Sequence, residues 1–344
     1  LIQETTDIIA EDVKLEKPFL NVFKIHSDSY VQETTSGGAR YSSVNKAIFD
    51  ALSVGAIVVN YFGHGGEDGL AVERIFDKIN AQELNNSNKL NCFVTITCEY
   101  TKFDNPYRKS AGEYLFLNKS GGAISLITTT RQILINVGIQ FNKALSKYLF
   151  SYGNSELISV GEALRRTKND PLVTNINQRR LVFYIGDPAL KIPMADPDIR
   201  VTKINDEDIS LNNQLLKALS PAKITGNVTN NLGQVQTNYN GILTATIFDK
   251  DLQRSTIGND GITDGSDLIT LDFNTLGEVI FRGQASVTNG LFEFEFIVPR
   301  DINVSQGNGK ISLYSKTEAP LTNNRGFSYD IVIGGVNLDA PQDN

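Results

Sequence analysis

Reactive side chains are scarce in this 344-residue chain, which holds only two cysteines, Cys92 and Cys98, and two histidines, His26 and His64. Two cysteines do not make a disulfide framework. If both lie on one strand, six steps put their Cα atoms roughly 20 Å apart, whereas a disulfide needs about 7 Å or less. Nor do two Cys and two His at these spacings form a zinc signature, so no metal or cofactor is expected. Basic clusters are missing too. A net charge of −7, with no Lys/Arg-rich stretch or interleaved aromatic stripe, argues against a nucleic-acid partner. No apolar run approaches the ~20 residues of a membrane helix. The chain starts at Leu1 with neither Met nor a basic leader, and we read it as a fragment of something longer. Hydrophobic content of 40% and charged content of 21% are those of a globular protein long enough for two domains.

Up to residue 193 the pattern alternates β-rich runs with helical ones, which predicts a mostly parallel α/β sheet. Phe19–Ile25 reads as a strand, and Ser42–Leu52 as a helix with Val44, Ala47, Ile48 and Leu52 at helical spacing. Strands are expected at Ala56–Phe62, Phe93–Thr97, Ala123–Ile127 and Leu181–Ile185. Helices are expected near Ala81–Leu84, Ala111–Asn118, Phe141–Phe150 and Leu157–Lys168. The character changes between Pro193 and Pro197. Beyond it come short alternating runs separated by Gly, Asn and Asp, among them Leu243–Phe248, Glu278–Phe281, Leu291–Val298 and Lys310–Tyr314. About seven such strands predict an all-β sandwich of immunoglobulin type over 194–338, with 339–344 as a linker. No internal repeat is present.

Two of the apolar runs each end on a reactive side chain. Ala56–Phe62 leads into Gly63-His64-Gly65-Gly66, and Phe93–Thr97 ends on Cys98. Parallel sheets bind ligands at the carboxyl ends of their strands, so adjacent strands would bring His64 and Cys98 to one rim. An imidazole can draw a thiol proton and raise the thiolate fraction, and the thiolate is the nucleophile. Attack on an amide carbonyl creates an oxyanion that needs fixed donors. Glycine's free backbone at Gly65 and Gly66 and the N–H of Cys98 could serve. The plain reading of the same residues is a tight turn and a small buried hydrophobe, and spacing alone leaves the two evenly matched.

The stretches Gly63–Gly69 and Thr95–Pro106 resemble the paired blocks of the gingipain family of cysteine peptidases, of the caspase-like clan. Gly186-Asp187-Pro188-Ala189-Leu190 is similar to the motif that closes the catalytic domain of that family. Thr128–Arg131 and Arg179–Tyr184 extend the likeness towards the family's sortase of the type IX secretion system. The resemblance implies a caspase-like peptidase domain over 1–193 that lacks its N-terminal part. It implies Cys98 as nucleophile, His64 as acid/base, and an oxyanion hole of the Gly65 and Cys98 amides. It implies a cell-surface, outer-membrane-associated cysteine endopeptidase and transpeptidase. Such an enzyme would remove C-terminal sorting domains from secreted cargo and attach that cargo to a lipopolysaccharide acceptor, alongside outer-membrane secretion partners. A secreted gingipain-like endopeptidase and a non-catalytic surface scaffold are the alternatives.

Other candidates read plainly. Cys92 opens its strand and is expected to pack, His26 precedes a turn, and Glu67, Asp68 and Glu99 read as loop carboxylates. The acidic run from Asp249 to Asp267 matches no calcium-loop signature and reads as a solvated hairpin connection.

Overall fold

The computed structural model describes residues 1–195, 197–209 and 214–339. The chain forms two compact units. The first comprises Leu1–Lys17, Lys24–Pro193 and Ser255–Phe273, and the second comprises Pro18–Phe23, Met194–Arg254 and Asn274–Asn344. Two segments thus fall on the other side of a simple cut at residue 193. The expected linker lies, from residue 340 on, outside the described residues.

In chain order the first unit runs α1 (Ile2–Glu16), β1 (Glu33–Thr35), β2 (Gly38–Arg40), α2 (Ser42–Val54), β3 (Val58–Phe62), β4 (Gly65–Gly66), β5 (Gly69–Leu70), β6 (Phe76–Asp77) and α3 (Lys78–Glu83). It continues with β7 (Asn91–Ile96), α4 (Ala111–Phe116), β8 (Ala123–Thr129), α5 (Ile135–Leu149), α6 (Val160–Lys168), α7 (Ile176–Arg179) and β9 (Val182–Ile185). Its main sheet has the order β3-β7-β8-β9. The first three strands are parallel and β9 is antiparallel, so the sheet is mostly parallel as expected. Every residue of β7 is buried, as a central strand covered on both faces requires. On one face Phe93 and Leu126 join Val44 and Leu52 of α2 and Leu115 of α4 in a single apolar cluster. Helix α5 comes close to the sheet through Gly138, where an added Cβ would lie 2.5 Å from the Phe62 ring.

Two sequence expectations fail here. Phe19–Ile25 is not a strand. Its apolar residues report partial burial without ladder pairing: the Leu20 carbonyl accepts from Lys310 Nζ at 2.6 Å, and the Asn21 side-chain amide donates to the Ser312 hydroxyl at 3.0 Å. Helix α1 was not expected, although its buried Thr5, Ile9 and Val13 recur at every fourth position.

The second unit contains no helix among its described residues. The expected alternation of Leu291–Ile297 is observed: Phe292, Phe294 and Phe296 face inward, and the residues between them face solvent. That strand pairs antiparallel with Pro221–Val228 and Val279–Thr288. Gly241–Phe248 pairs on one side with Val279–Thr288 and on the other with Lys310–Lys316. The result is an eight-stranded sheet in which the strand at one end, Asn323–Ser328, also pairs through Gly326 with Ile199 of the strand next to the other end. A separate three-stranded sheet holds Gln214–Ala218, Ile331–Val336 and Gly307–Asn308. Ile224, Leu243, Ile311 and Ile333 lie in the fully buried core of this unit.

Candidate active site

The parallel pairing of β3 with β7 sets Phe62 opposite Ile96. His64 and Cys98 each lie two residues beyond that last pair, so both leave the same end of adjacent strands at the same level. Thr97 joins them. Its hydroxyl donates to the Gly63 carbonyl at 2.6 Å, tying the residue before Cys98 to the residue before His64. The Thr129 hydroxyl donates in turn to the Thr97 carbonyl. Beneath lies a buried chain of hydroxyls, with Thr128 Oγ1 2.9 Å from Thr95 Oγ1 and 2.8 Å from Thr101 Oγ1. A rim fixed by hydroxyl-to-carbonyl bonds has little room to shift, because Thr95, Thr97, Thr101, Thr128 and Thr129 are buried and their hydroxyls must stay paired.

After β3 the chain turns back in a tight hairpin, β4 to β5. The His64 carbonyl accepts from Ala71 N at 2.8 Å and from the Tyr61 hydroxyl at 2.6 Å. Burial pushes the Tyr61 phenol well above its ordinary range, which keeps it a donor. Gly65 stands opposite Leu70. With the neighbouring 71-to-64 bond made, that is a non-hydrogen-bonded position, and the Gly65 N–H points out of the hairpin ladder. Only glycine fits here, because a Cβ would lie 2.7 Å from Thr97 Oγ1. His64 itself is exposed and Cys98 is partly exposed.

Glu67 departs from the expectation of a loop carboxylate, being buried at 9% exposure. Burial alone would raise its pKa. Bonds from Asn105, Arg108 and Lys102 outweigh that and hold the carboxyl below its ordinary range. Asp68, on the exposed tip of the same hairpin, lies 2.7 Å from Lys78 Nζ, whose hydrogen bond lowers its carboxyl as well.

The remaining candidates lie elsewhere. Cys92 is buried in β7, and burial pushes its thiol up to about 11, the state of an inert packing residue. His26 is also buried. It sits 3.5 Å from Asp7 of α1 and edge-on to Phe273 at 4.6 Å, and burial lowers its pKa against the pull of Asp7. The acidic run is not one cluster. Asp249 is buried against Lys250 at 2.8 Å, while Asp260 accepts from Ile262 N in a turn of the hairpin. Among the described residues no group of three or more His, Cys, Asp or Glu side chains is placed to hold a metal ion.

The family model of peptidase family C25 matches residues 2–193, more than half of the chain. The chain belongs to peptidase family C25. It is therefore a member of a cysteine-peptidase family, and its C25 region ends at Pro193, where the longest stretch of the first unit, Lys24–Pro193, also ends. Among solved structures, this C25 chain is similar to dimeric latent PorU from Porphyromonas gingivalis, at 26% identity with a TM-score of 0.38. That likeness covers 64% of this chain and 20% of the other. It is also similar to the Arg-specific cysteine proteinase gingipain R, at 16% identity over 85% of this chain and 56% of that one, TM-score 0.39. The complex of Porphyromonas gingivalis RgpB pro- and mature domains gives 16% identity over 82% and 56%, TM-score 0.40. The chain thus spans about a fifth of the PorU chain and just over half of the gingipain chains. No curated protein matches.

Proposed function

We infer that Cys98 and His64 are the nucleophile and acid/base of a cysteine peptidase. The observation that carries this reading is the β3–β7 register together with the Thr97–Gly63 bond, which bring residues 64 and 98 to one edge at one level. His64 takes the Cys98 proton, and the thiolate attacks the carbonyl carbon of the scissile amide. The oxyanion is met by the N–H groups of Gly65 and Cys98. As the C–N bond breaks, His64 returns the proton to the leaving amine, and a thioester remains. Water or an amine then attacks the thioester, gives its proton to His64, and frees the Cys98 thiol.

Either acceptor satisfies this chemistry. The motif blocks favour the amine and a sortase of the type IX secretion system. We read the enzyme as exported, cell-surface and outer-membrane-associated. It would cleave C-terminal sorting domains from protein cargo, pass the cargo to a lipopolysaccharide acceptor, and work beside outer-membrane secretion partners. In this reading residues 1–193 form the caspase-like peptidase domain and 194–338 an immunoglobulin-like sandwich.

The test uses the full-length protein and a cargo bearing its sorting domain. Wild type should release the sorting domain and join the cargo to an amine. Cys98→Ala and His64→Ala should do neither, with circular dichroism unchanged. Cargo released only as the free acid identifies a simple endopeptidase, and equal processing by wild type and Cys98→Ala overturns the dyad.

A further inference from the structure

No helix or strand lies between Ile96 and Ala111, so the loop that follows Cys98 takes its shape from side-chain bonds. Three of these converge on one carboxylate. Glu67 Oε2 accepts from Asn105 Nδ2 at 2.8 Å and from Arg108 Nε at 2.9 Å, and Oε1 lies 3.4 Å from Lys102 Nζ. The donors occupy every third residue of the loop. The Glu67 carbonyl also accepts from Ala111 N at 2.8 Å, which fixes the far end of the loop. A buried carboxylate persists only where its oxygens are partnered, and this one is partnered entirely from the loop after Cys98.

The network continues to the residue beside the thiol. Lys102 Nζ lies 3.0 Å from Glu99 Oε1, and Glu99 follows Cys98 directly. Its φ is 52°, in the left-handed region that a residue with a Cβ occupies only when its surroundings hold it there. The backbone support is slight, since Glu99 N reaches the Arg131 carbonyl at 3.4 Å. The path from Glu67 through Lys102 to Glu99 therefore links the hairpin after His64 to the strained peptide after Cys98.

We propose that Glu67 is a positioning residue, clamping the loop after Cys98 to the hairpin after His64 and so fixing the Cys98–Glu99 backbone relative to Gly65. It acts through the backbone and not on the reacting atoms. The proposal rests on the Cys98–His64 reading above and deepens it. A carboxylate needed only for folding would change the amount of folded protein and leave the rate per active thiol unchanged.

The experiment measures peptide cleavage by the full-length protein, with rates expressed per Cys98 thiol titrated by iodoacetamide. Glu67→Gln keeps the shape and removes the charge. It should lower kcat by about 10- to 100-fold, the scale on which small misplacements act, with KM changed less than about threefold. Glu67→Asp, which keeps the charge, should recover part of that loss. The double variant Lys102→Met/Arg108→Met should also lose kcat, and adding Glu67→Gln to it should cost less than about threefold more. A Glu67→Gln protein with kcat per thiol within twofold of wild type overturns the proposal, as does a full additive loss in the triple variant. If Cys98→Ala still cleaves, the dyad reading fails instead, so the two failures are told apart.

Discussion

Thr97 occupies the gap between two reactive residues and touches the backbone on both sides of His64. Its hydroxyl bonds the Gly63 carbonyl, and its side chain fills the space where a Gly65 Cβ would stand. Thr97→Val keeps the shape and deletes the donor. We expect a stability loss of about 1–3 kcal/mol from the unpaired carbonyl and a kcat about tenfold lower, with most activity restored by Thr97→Ser. Urea unfolding and peptide kinetics check the two effects separately. The placement of His64 and Cys98 beyond the ends of adjacent strands was legible because each follows an apolar run, a signal carried by neighbours in sequence. Thr97 and Glu67 were not, because their roles depend on partners 34 and 35 or more positions away. An isolated threonine in a strand and a glutamate in a hairpin look alike wherever they occur. Only burial distinguishes Glu67 from Asp68 beside it.

At the scale of elements, helix α5 shows how closely the sheet must be approached. Gly138 faces the Phe62 ring at a distance no Cβ tolerates, and Ile96 lies just behind. Gly138→Ala gains about 1 kcal/mol of helix propensity. Overpacking against a buried ring costs about 1–3 kcal/mol, and the Phe62 ring is buried. The net expectation is a lower urea midpoint and a lower rate, since Phe62 stands two residues before His64. Element types were read well where burial and ladder coincide, as in β7, β8 and the Leu291–Ile297 strand. They were misread where burial occurs without a ladder. Phe19–Ile25 has the apolar content of a strand, but it has no ladder partner, and the Lys310 side chain takes the Leu20 carbonyl that a neighbouring strand would bond.

For the whole molecule, the change of pattern at Pro193 marks the end of the C25 match but not the end of the first compact unit. Ser255–Phe273 belongs to that unit, and its attachment is specific. Asp28 accepts from Gly258 N at 3.0 Å and from Asn259 N at 2.7 Å, while Phe273 covers His26. Sequence periodicity could not reveal this, since the segment is polar, glycine-rich and far from its partners along the chain. A protein ending at residue 193 leaves the Asp28 carboxylate without those two donors and His26 without its ring contact. We expect it to unfold at lower temperature and lower urea than the 344-residue chain. Adding the 255–273 peptide in trans should shift its unfolding back towards that of the longer chain.

The same segment bears on the order in which the protein comes into being. Synthesis proceeds from the N-terminus, and domains generally fold as their residues become available. All the strands of the β3-β7-β8-β9 sheet are available once Ile185 has emerged, but the unit they belong to closes only with Phe273. Between those two points the His26 pocket stands open and the Asp28 carboxylate waits for its donors. A nascent peptidase unit therefore stays unfinished until about half of the following β-rich module has been made, which delays its completion by a built-in interval.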